Sequence, residues 1–278
     1  MQTTIEFFFF SSFSNCLFAC KQVFDDIRTN VLRNSTFMKK QPRPTKTSTV
    51  GRNTAGKSAT EKSTVRKSTA STTKDKILNA ARDLFNQHGV EAITVRHVAQ
   101  HLGISHGNLC YHFPRREDII FALYERVVQG MSAQVSLWTP DAISLGMVLG
   151  ALRASFELQY EYRFLMIDFV NIMRRLPEVR EHFRMMFEVR KHQFRSALES
   201  LRTQGILLQS IPDAQYERLL LHSYLMGDFW MSEAEILFTG SEKEKVPFYA
   251  ELACSLFVPY LTAKGQKEYD AFVRSAFS

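Results

Sequence analysis

The chain has 278 residues, 45% of them hydrophobic, which is enough for one or two globular domains with a real core. Its formal charge of +7 is concentrated in a short segment: residues 39–74 carry ten basic residues against Glu61 alone, whereas residues 75–278 carry 22 basic and 24 acidic ones. The basic pI therefore describes a tail and is no proof of nucleic-acid binding, and the absence of 18 consecutive apolar residues excludes a membrane-spanning helix.

Residues 1–38 open with an apolar, Phe-rich run from Ile5 to Cys20. An export signal needs a positively charged start, and here Glu6 precedes the first cation, Lys21. The segment reads instead as an extension outside the folded part. Residues 39–73 are rich in Lys, Arg, Ser and Thr, cannot offset their own ordering entropy, and are expected to be a disordered basic tail. Such an arm either adds phosphate contacts beside a DNA-binding fold or is a solvated tail. Within it, Gly51–Ser58 matches the phosphate-binding loop pattern letter for letter. Thr45–Val50 is too polar for the strand that must precede such a loop, and 59–67 too charged for the helix that must follow, so no nucleotide site is assigned. Four cysteines without metal or disulfide spacing point to a reducing compartment, the cytoplasm.

From Lys74 the pattern becomes helical. Ile77, Ala80, Ala81, Leu84, Phe85 and His88 fall on one face of a helix that Gly89 ends. Thr94 caps a short second helix with Val95, Val98, Ala99 and Leu102 on one side, and Gly103 closes it. Ile104 suits the turn. Ser105 caps a third helix running to about Phe113, where Pro114 stops it. Leu109 and Phe113 point inward, leaving His106, Gly107, Asn108, Tyr111 and His112 outward with no acid among them. Two short helices, a glycine turn and a polar outer face make a helix-turn-helix. Asn108 and His106 can offer donors and acceptors to base edges, and Gly107 permits close approach. Ser105 and Tyr111 suit phosphate oxygens, while Arg115 and Arg116 open the next helix where a DNA backbone would pass.

The segment Thr94–Phe113 resembles the DNA-binding signature of the TetR family of regulators, and the flanking residues 80–89 and 116–120 fit the same template, about 50 of the 278 residues in all. The resemblance implies that Thr94 touches phosphate and Arg96 reaches a base. It also implies that His106, Gly107 and Asn108 lie on base edges while Tyr111, His112 and Arg116 clamp the backbone. Cys110 departs from the pattern, which usually has an aromatic residue there; it is either a redox-sensing thiol or simply a small helical residue. His97 and His101 share a helix face, but no third ligand is near and no metal or other cofactor is expected.

Beyond Gly130 the periodicity predicts helices over 116–137, 141–160, 162–174, 178–204, 212–238 and 246–275, with Pro140, Pro177 and Pro212 near helix starts. The fold class is thus all-α: a three-helix helix-turn-helix head (74–120) followed by a helical effector-binding and dimerisation domain (121–278). Aromatic and Met-rich stretches supply either core or an adaptable pocket, with Phe156, Tyr160, Phe164, Phe169, Met173, Met186 and Phe187 as candidate lining. By the resemblance, this region binds a small effector. The last two helices, with Leu219, Leu220, Tyr224, Gly227, Phe229, Trp230, Phe248, Leu252, Leu256, Phe257 and Leu261, look too apolar for a free surface. By the same resemblance they pair two copies into a homodimer that grips double-stranded operator DNA. No set of nucleophile, base and acid stands out, so the chain reads as a regulator, in the family's usual mode a repressor, and not an enzyme.

Overall fold

A computed structural model describes residues 72–277 except Leu137, Pro140 and Asp141. The apolar extension, most of the basic tail, the Gly51–Ser58 string and the Pro140 helix start lie outside the described residues.

Helix starts are set by side chains that take up amides otherwise without partners. Thr72 and Asp75 form a reciprocal capping box that opens α1 (Thr73–His88). Thr94 and His97 do the same for α2 (Val95–His101), and the Ser105 hydroxyl accepts from the Asn108 amide at 3.2 Å to open α3 (His106–His112). Gly103 turns the chain between them at a φ of 65°, in the left-handed region that glycine occupies without strain. Then follow α4 (Arg116–Val135), α5 (Leu145–Glu161), α6 (Arg163–Ile167), α7 (Phe169–Arg175), α8 (Pro177–Thr203), α9 (Asp213–Leu237), α10 (Glu242–Ser255), a 3-10 turn (Val258–Tyr260) and α11 (Ala263–Ala276). Among the described residues the only extended pairing is an isolated bridge between Leu207 and Leu261. No described helix is long and apolar enough to cross a membrane.

Two expected helices are broken. The span 162–174 is divided at Asp168, whose backbone leaves the helical region, into α6 and α7. The span 246–275 is two helices: Ser241 and Glu244 start the first earlier than periodicity suggested, and the chain then leaves the helix around Pro259. There Leu208 donates to the Tyr260 carbonyl and Thr262 to the Ile206 carbonyl, both at 2.9 Å, before Thr262 caps α11. Backbone bonds to the α8–α9 connection replace the helical ones, which no side-chain period reveals.

One apolar cluster runs from the head into the body. Ile77, Phe85, Val98, Leu109, Ile119 and Leu123 share it with Phe164, Leu165 and Val179, so α4 is packed at its start into the head and further along against the body. A second cluster gathers the ends of α5, α8 and α10 around Leu149, Leu201 and Phe257. A third packs Phe156 against Trp230, with ring centroids 5.0 Å apart, beside Met231 and Ala250.

Candidate nucleic-acid interface and effector cavity

Leu109 is wholly buried and Phe113 nearly so, which rotates the rest of α3 outward. His106, Gly107 and Asn108 are exposed and Tyr111 projects with 83% of its surface free, while His112 is half-buried with its ring against Tyr111. Thr94, Arg96 and Ser105 are exposed on the same turn-and-helix surface. Cys110 is half-buried, its Sγ 3.4 Å from Nε2 of His106 one turn earlier. His97 does not pair with His101 as a ligand set: its Nδ1 accepts from the Thr94 amide at 3.3 Å, the second half of a cap. Among the described residues no group of three His, Cys, Asp or Glu is placed to hold a metal ion.

The two arginines at the start of α4 differ. Arg115 is two-thirds exposed and pairs with Asp118 at 2.7 Å on the surface. Arg116 is only 22% exposed and points back, donating to the carbonyl of Val90 at 3.0 Å and of Glu91 at 3.4 Å. It ties the α1–α2 loop to α4. Where the resemblance implied a backbone clamp, Arg116 thus has its Nη1 engaged by the chain's own carbonyls.

Head and body meet through polar contacts around the shared core. Glu91 pairs with Arg175 of α7 and Arg82 with Glu161 of α5. Asn86 donates to the Glu161 carbonyl at 2.8 Å and accepts from the Phe164 amide at 3.1 Å. Arg126 of α4 reaches back to Asp75 at 2.6 Å and Asn79 at 2.7 Å.

The body contains a cavity of about 160 Å³ between α4, α5, α8 and α9, walled by Trp138, Val148, Leu152, Phe194, Tyr224 and Phe257 among others. A smaller one of about 40 Å³ lies beside it, toward the head. Met131, Gln159, Arg190 and Asp228 border both. Of the seven residues expected to line a pocket, Phe169 and Met173 border the smaller cavity. Phe156 and Phe164 are instead fully packed core, and Tyr160 is turned to a hydrogen bond with Glu242. Met186 packs partly buried against the head-side cluster, and the Phe187 ring lies tilted at 4.8 Å from Tyr224, which does line the larger cavity.

Sequence reasoning missed the polar floor. Arg190 has a terminal nitrogen, Nη2, that is buried without a hydrogen-bond partner. Burial pushes its guanidinium below the usual arginine range and lifts Asp228 to about 6, with the Arg190 charge opposing that rise. Burial also raises the Tyr124 and Tyr224 phenols and lowers His182, whose Nδ1 lies 3.1 Å from the Tyr124 hydroxyl. The signal was present: Asp228 is the one acid in the run Leu219–Met231.

With both surfaces defined, the chain can be set beside known proteins. Residues 77–123 match the model described as bacterial regulatory proteins of the tetR family, and residues 126–269 match a bacterial transcriptional repressor model. The chain belongs to the TetR family. As a TetR-family transcriptional regulator it is similar to a family member from Marinobacter aquaeolei VT8, with 26% identity and a TM-score of 0.66 over 73% of this chain and 98% of that one. It is 29% identical over 92 residues to the HTH-type transcriptional regulator RutR of Escherichia coli K12, 33% of this chain and 43% of RutR. A 54-residue stretch is 35% identical to UidR of the same organism, 19% of this chain and 28% of UidR. The aligned parts thus span under half the length of these curated relatives.

The expected dimer surface needs redrawing. Leu219, Leu220, Trp230 and Phe257 are buried in the chain's own core, and Tyr224 and Gly227 border the cavity. The large apolar residues left outward on these two helices are Leu221, Leu225 and Phe229, four apart on α9, with Ile236 and Leu237 at its end, and Phe248 and Leu252 on α10. α11, part of the last helix as first read, contributes none of the large exposed apolar residues.

Proposed function

We propose that this TetR-family chain is a cytoplasmic, homodimeric repressor that grips a near-palindromic operator and releases it when a small effector enters the body. It has no enzymatic role in this reading. Residues 74–120 act as the DNA-binding head and 121–278 as the effector and dimerisation domain. The observation that carries the proposal is the side of α3 opposite Leu109. It presents His106, Gly107, Asn108 and Tyr111 to solvent with no carboxylate among them. A helix entering a major groove about 12 Å wide reads base edges with such donors and acceptors, and no carboxylate here meets the phosphates. Thr94, Ser105, Tyr111, His112 and Arg115 hold the phosphates, Arg96 reaches a base from α2, and the half-buried Cys110 supports His106. The basic tail adds contacts that salt suppresses.

Pairing through Leu221, Leu225, Phe229, Phe248 and Leu252 sets two copies of α3 about one DNA turn apart, roughly 34–36 Å. The free dimer samples several spacings, and an effector that prefers another spacing lowers operator affinity by its differential binding alone. α4 is the physical link. Its first turns pack in the head core through Ile119 and Leu123, and its last turns supply Met131, Gln134 and Val135 to the cavity wall.

Selection of bound duplexes from a random pool, followed by a salt series, tests the reading. An inverted repeat is the expected product. Asn108→Ala relaxes base preference at one position of each half-site and costs about 1–3 kcal/mol there. Binding that loses all sequence preference once salt silences the tail refutes it.

A further inference from the structure

The larger cavity carries two charged groups, Arg190 from α8 and Asp228 from α9, in a wall otherwise apolar or neutral. The neutral polar groups are partly committed. Ser155 and Ser223 donate to carbonyls of their own helices, and the Gln159 carbonyl accepts from Nε1 of Trp230 at 2.5 Å. Arg190 is different. A guanidinium keeps its proton and carries five N–H donors, yet among the described residues the buried Nη2 has no acceptor and Asp228 makes no ion pair with it. A buried donor without an acceptor costs free energy in the free protein that a ligand recovers.

Asp228 fixes the sign of that ligand. Burial lifts its acid to about 6 against the pull of Arg190, so it accepts a proton readily when a second anion arrives, whereas Arg190 keeps the proton it carries. The phenols that border this pair, Tyr124 and Tyr224, are pushed further from ionisation by burial and stay neutral. A dianion such as a phosphate ester would face one cation and one carboxyl and leave most of its oxygens without donors. A single carboxylate needs no more than the Arg190 fork.

Size narrows the class. A cavity of about 160 Å³ is close to the roughly 150 Å³ apolar cavity known to hold benzene. We infer that the cavity takes a small amphipathic carboxylate, its acid group on Arg190 and a body of about one ring between Trp138, Leu152, Phe194 and Phe257. This inference rests on the effector reading above and names the chemistry of that effector.

Trp138 and Trp230 are the chain's two tryptophans, and Trp138 lines the cavity. Calorimetric titration of the full chain, with Trp138 emission reporting the location, is therefore the test. The probes are benzoate, phenylacetate and 3-phenylpropanoate, with phenylacetamide and phenethylamine as neutral and cationic counterparts. At least one acid should saturate the cavity and bind about tenfold to a hundredfold tighter than the amide, the range of a charge-assisted hydrogen bond. Arg190→Gln should abolish that preference. Asp228→Asn, which removes the competing carboxylate without emptying space, should hold or tighten acid binding.

Equal binding of acid and amide, preference for the amine, weakened acid binding in Asp228→Asn, or no saturation by any acid below about 10 mM overturns the inference. If Arg190→Gln fails to fold, the Asp228→Asn sign and the probe order decide it. Acid binding that leaves operator affinity unchanged sinks the effector reading and spares the ligand class. Release of DNA by a neutral or cationic compound through this cavity does the reverse.

Discussion

Arg116→Ala separates a structural arginine from a DNA-contacting one. The Arg116 guanidinium is 22% exposed and makes a charge-assisted bond of 3.0 Å to the Val90 carbonyl, beside the buried Val90 side chain. Such a bond contributes about 1.5–3 kcal/mol. The second bond, to the Glu91 carbonyl, is long at 3.4 Å and exposed, and the ion pair with Glu91 at 3.8 Å has a partner carboxylate 63% exposed. Solvent screening leaves these two close to nothing, about 0–1 kcal/mol together. Truncation should therefore destabilise the head by about 2 kcal/mol, most of it from an abandoned carbonyl acceptor.

Urea denaturation at fixed protein concentration reads that loss as a lower midpoint with an unchanged slope. In parallel, DNA affinity is measured over a salt series on folded protein. Arg116→Ala should keep the wild-type salt slope, because no phosphate contact is lost. Arg115→Ala should flatten it by about one unit while leaving the urea midpoint nearly unmoved, since the Arg115–Asp118 pair is a surface pair. A stable Arg116→Ala with a flattened slope would show the guanidinium turned outward to DNA and refute the reasoning.

Other consequences follow from burial and packing. Leu225→Asp places a charge at a position 60% exposed in one chain, and should convert the dimer to a monomer of unchanged helicity in analytical ultracentrifugation; a persisting dimer would place the interface elsewhere. At Gly265 a Cβ would stand 2.3 Å from the Ile206 carbonyl oxygen, so Gly265→Ala should cost about 2 kcal/mol or more by urea denaturation, and a neutral result would mean that α11 docks differently. Asp228 titrates at about 6 in the native chain, above the ordinary carboxylate range, so its contribution is full in acid and is lost as pH rises through about 6. Asp228→Asn should accordingly gain on wild type between about pH 5 and pH 7.5, and an equal difference at both values refutes the shift. The charged and titratable groups facing it from neighbouring helices are Arg190, Tyr124 and, on its own helix, Tyr224.

The head was legible because each of its signals is local. Thr94 and Ser105 cap within three residues, Gly103 supplies one backbone angle, and Leu109 with Phe113 fix which side of α3 is wet; all of this sits inside twenty residues. The cavity was not legible in the same way. Phe156 and Phe164 are as apolar as Phe194, and only the meeting of α5 with α6, α8 and α9 decides which become wholly packed core and which stays half-buried at the cavity wall. An apolar side chain carries its burial in its type but not its address. A charged one does better, because it is buried only for a reason, and Asp228 inside an apolar helix could have been singled out on that ground.

The same distinction governs which side of α9 faces outward. Leu219 and Leu221 differ by two positions on α9, which turns them about 200° apart, and the composition of the segment cannot say which faces inward. What settles it is the rest of the chain: Leu219 joins Leu149, Leu201 and Phe257, and that choice leaves the line of Leu221, Leu225 and Phe229 outward together. The break between α10 and α11 belongs to the same class of facts. It is fixed by Leu208 and Thr262 exchanging backbone bonds with Tyr260 and Ile206, more than fifty residues apart in sequence, and by a glycine that lets α11 approach the Ile206 carbonyl. Pro259 hinted at a stop, but only that distant backbone pairing makes the stop cost less than a continuous helix.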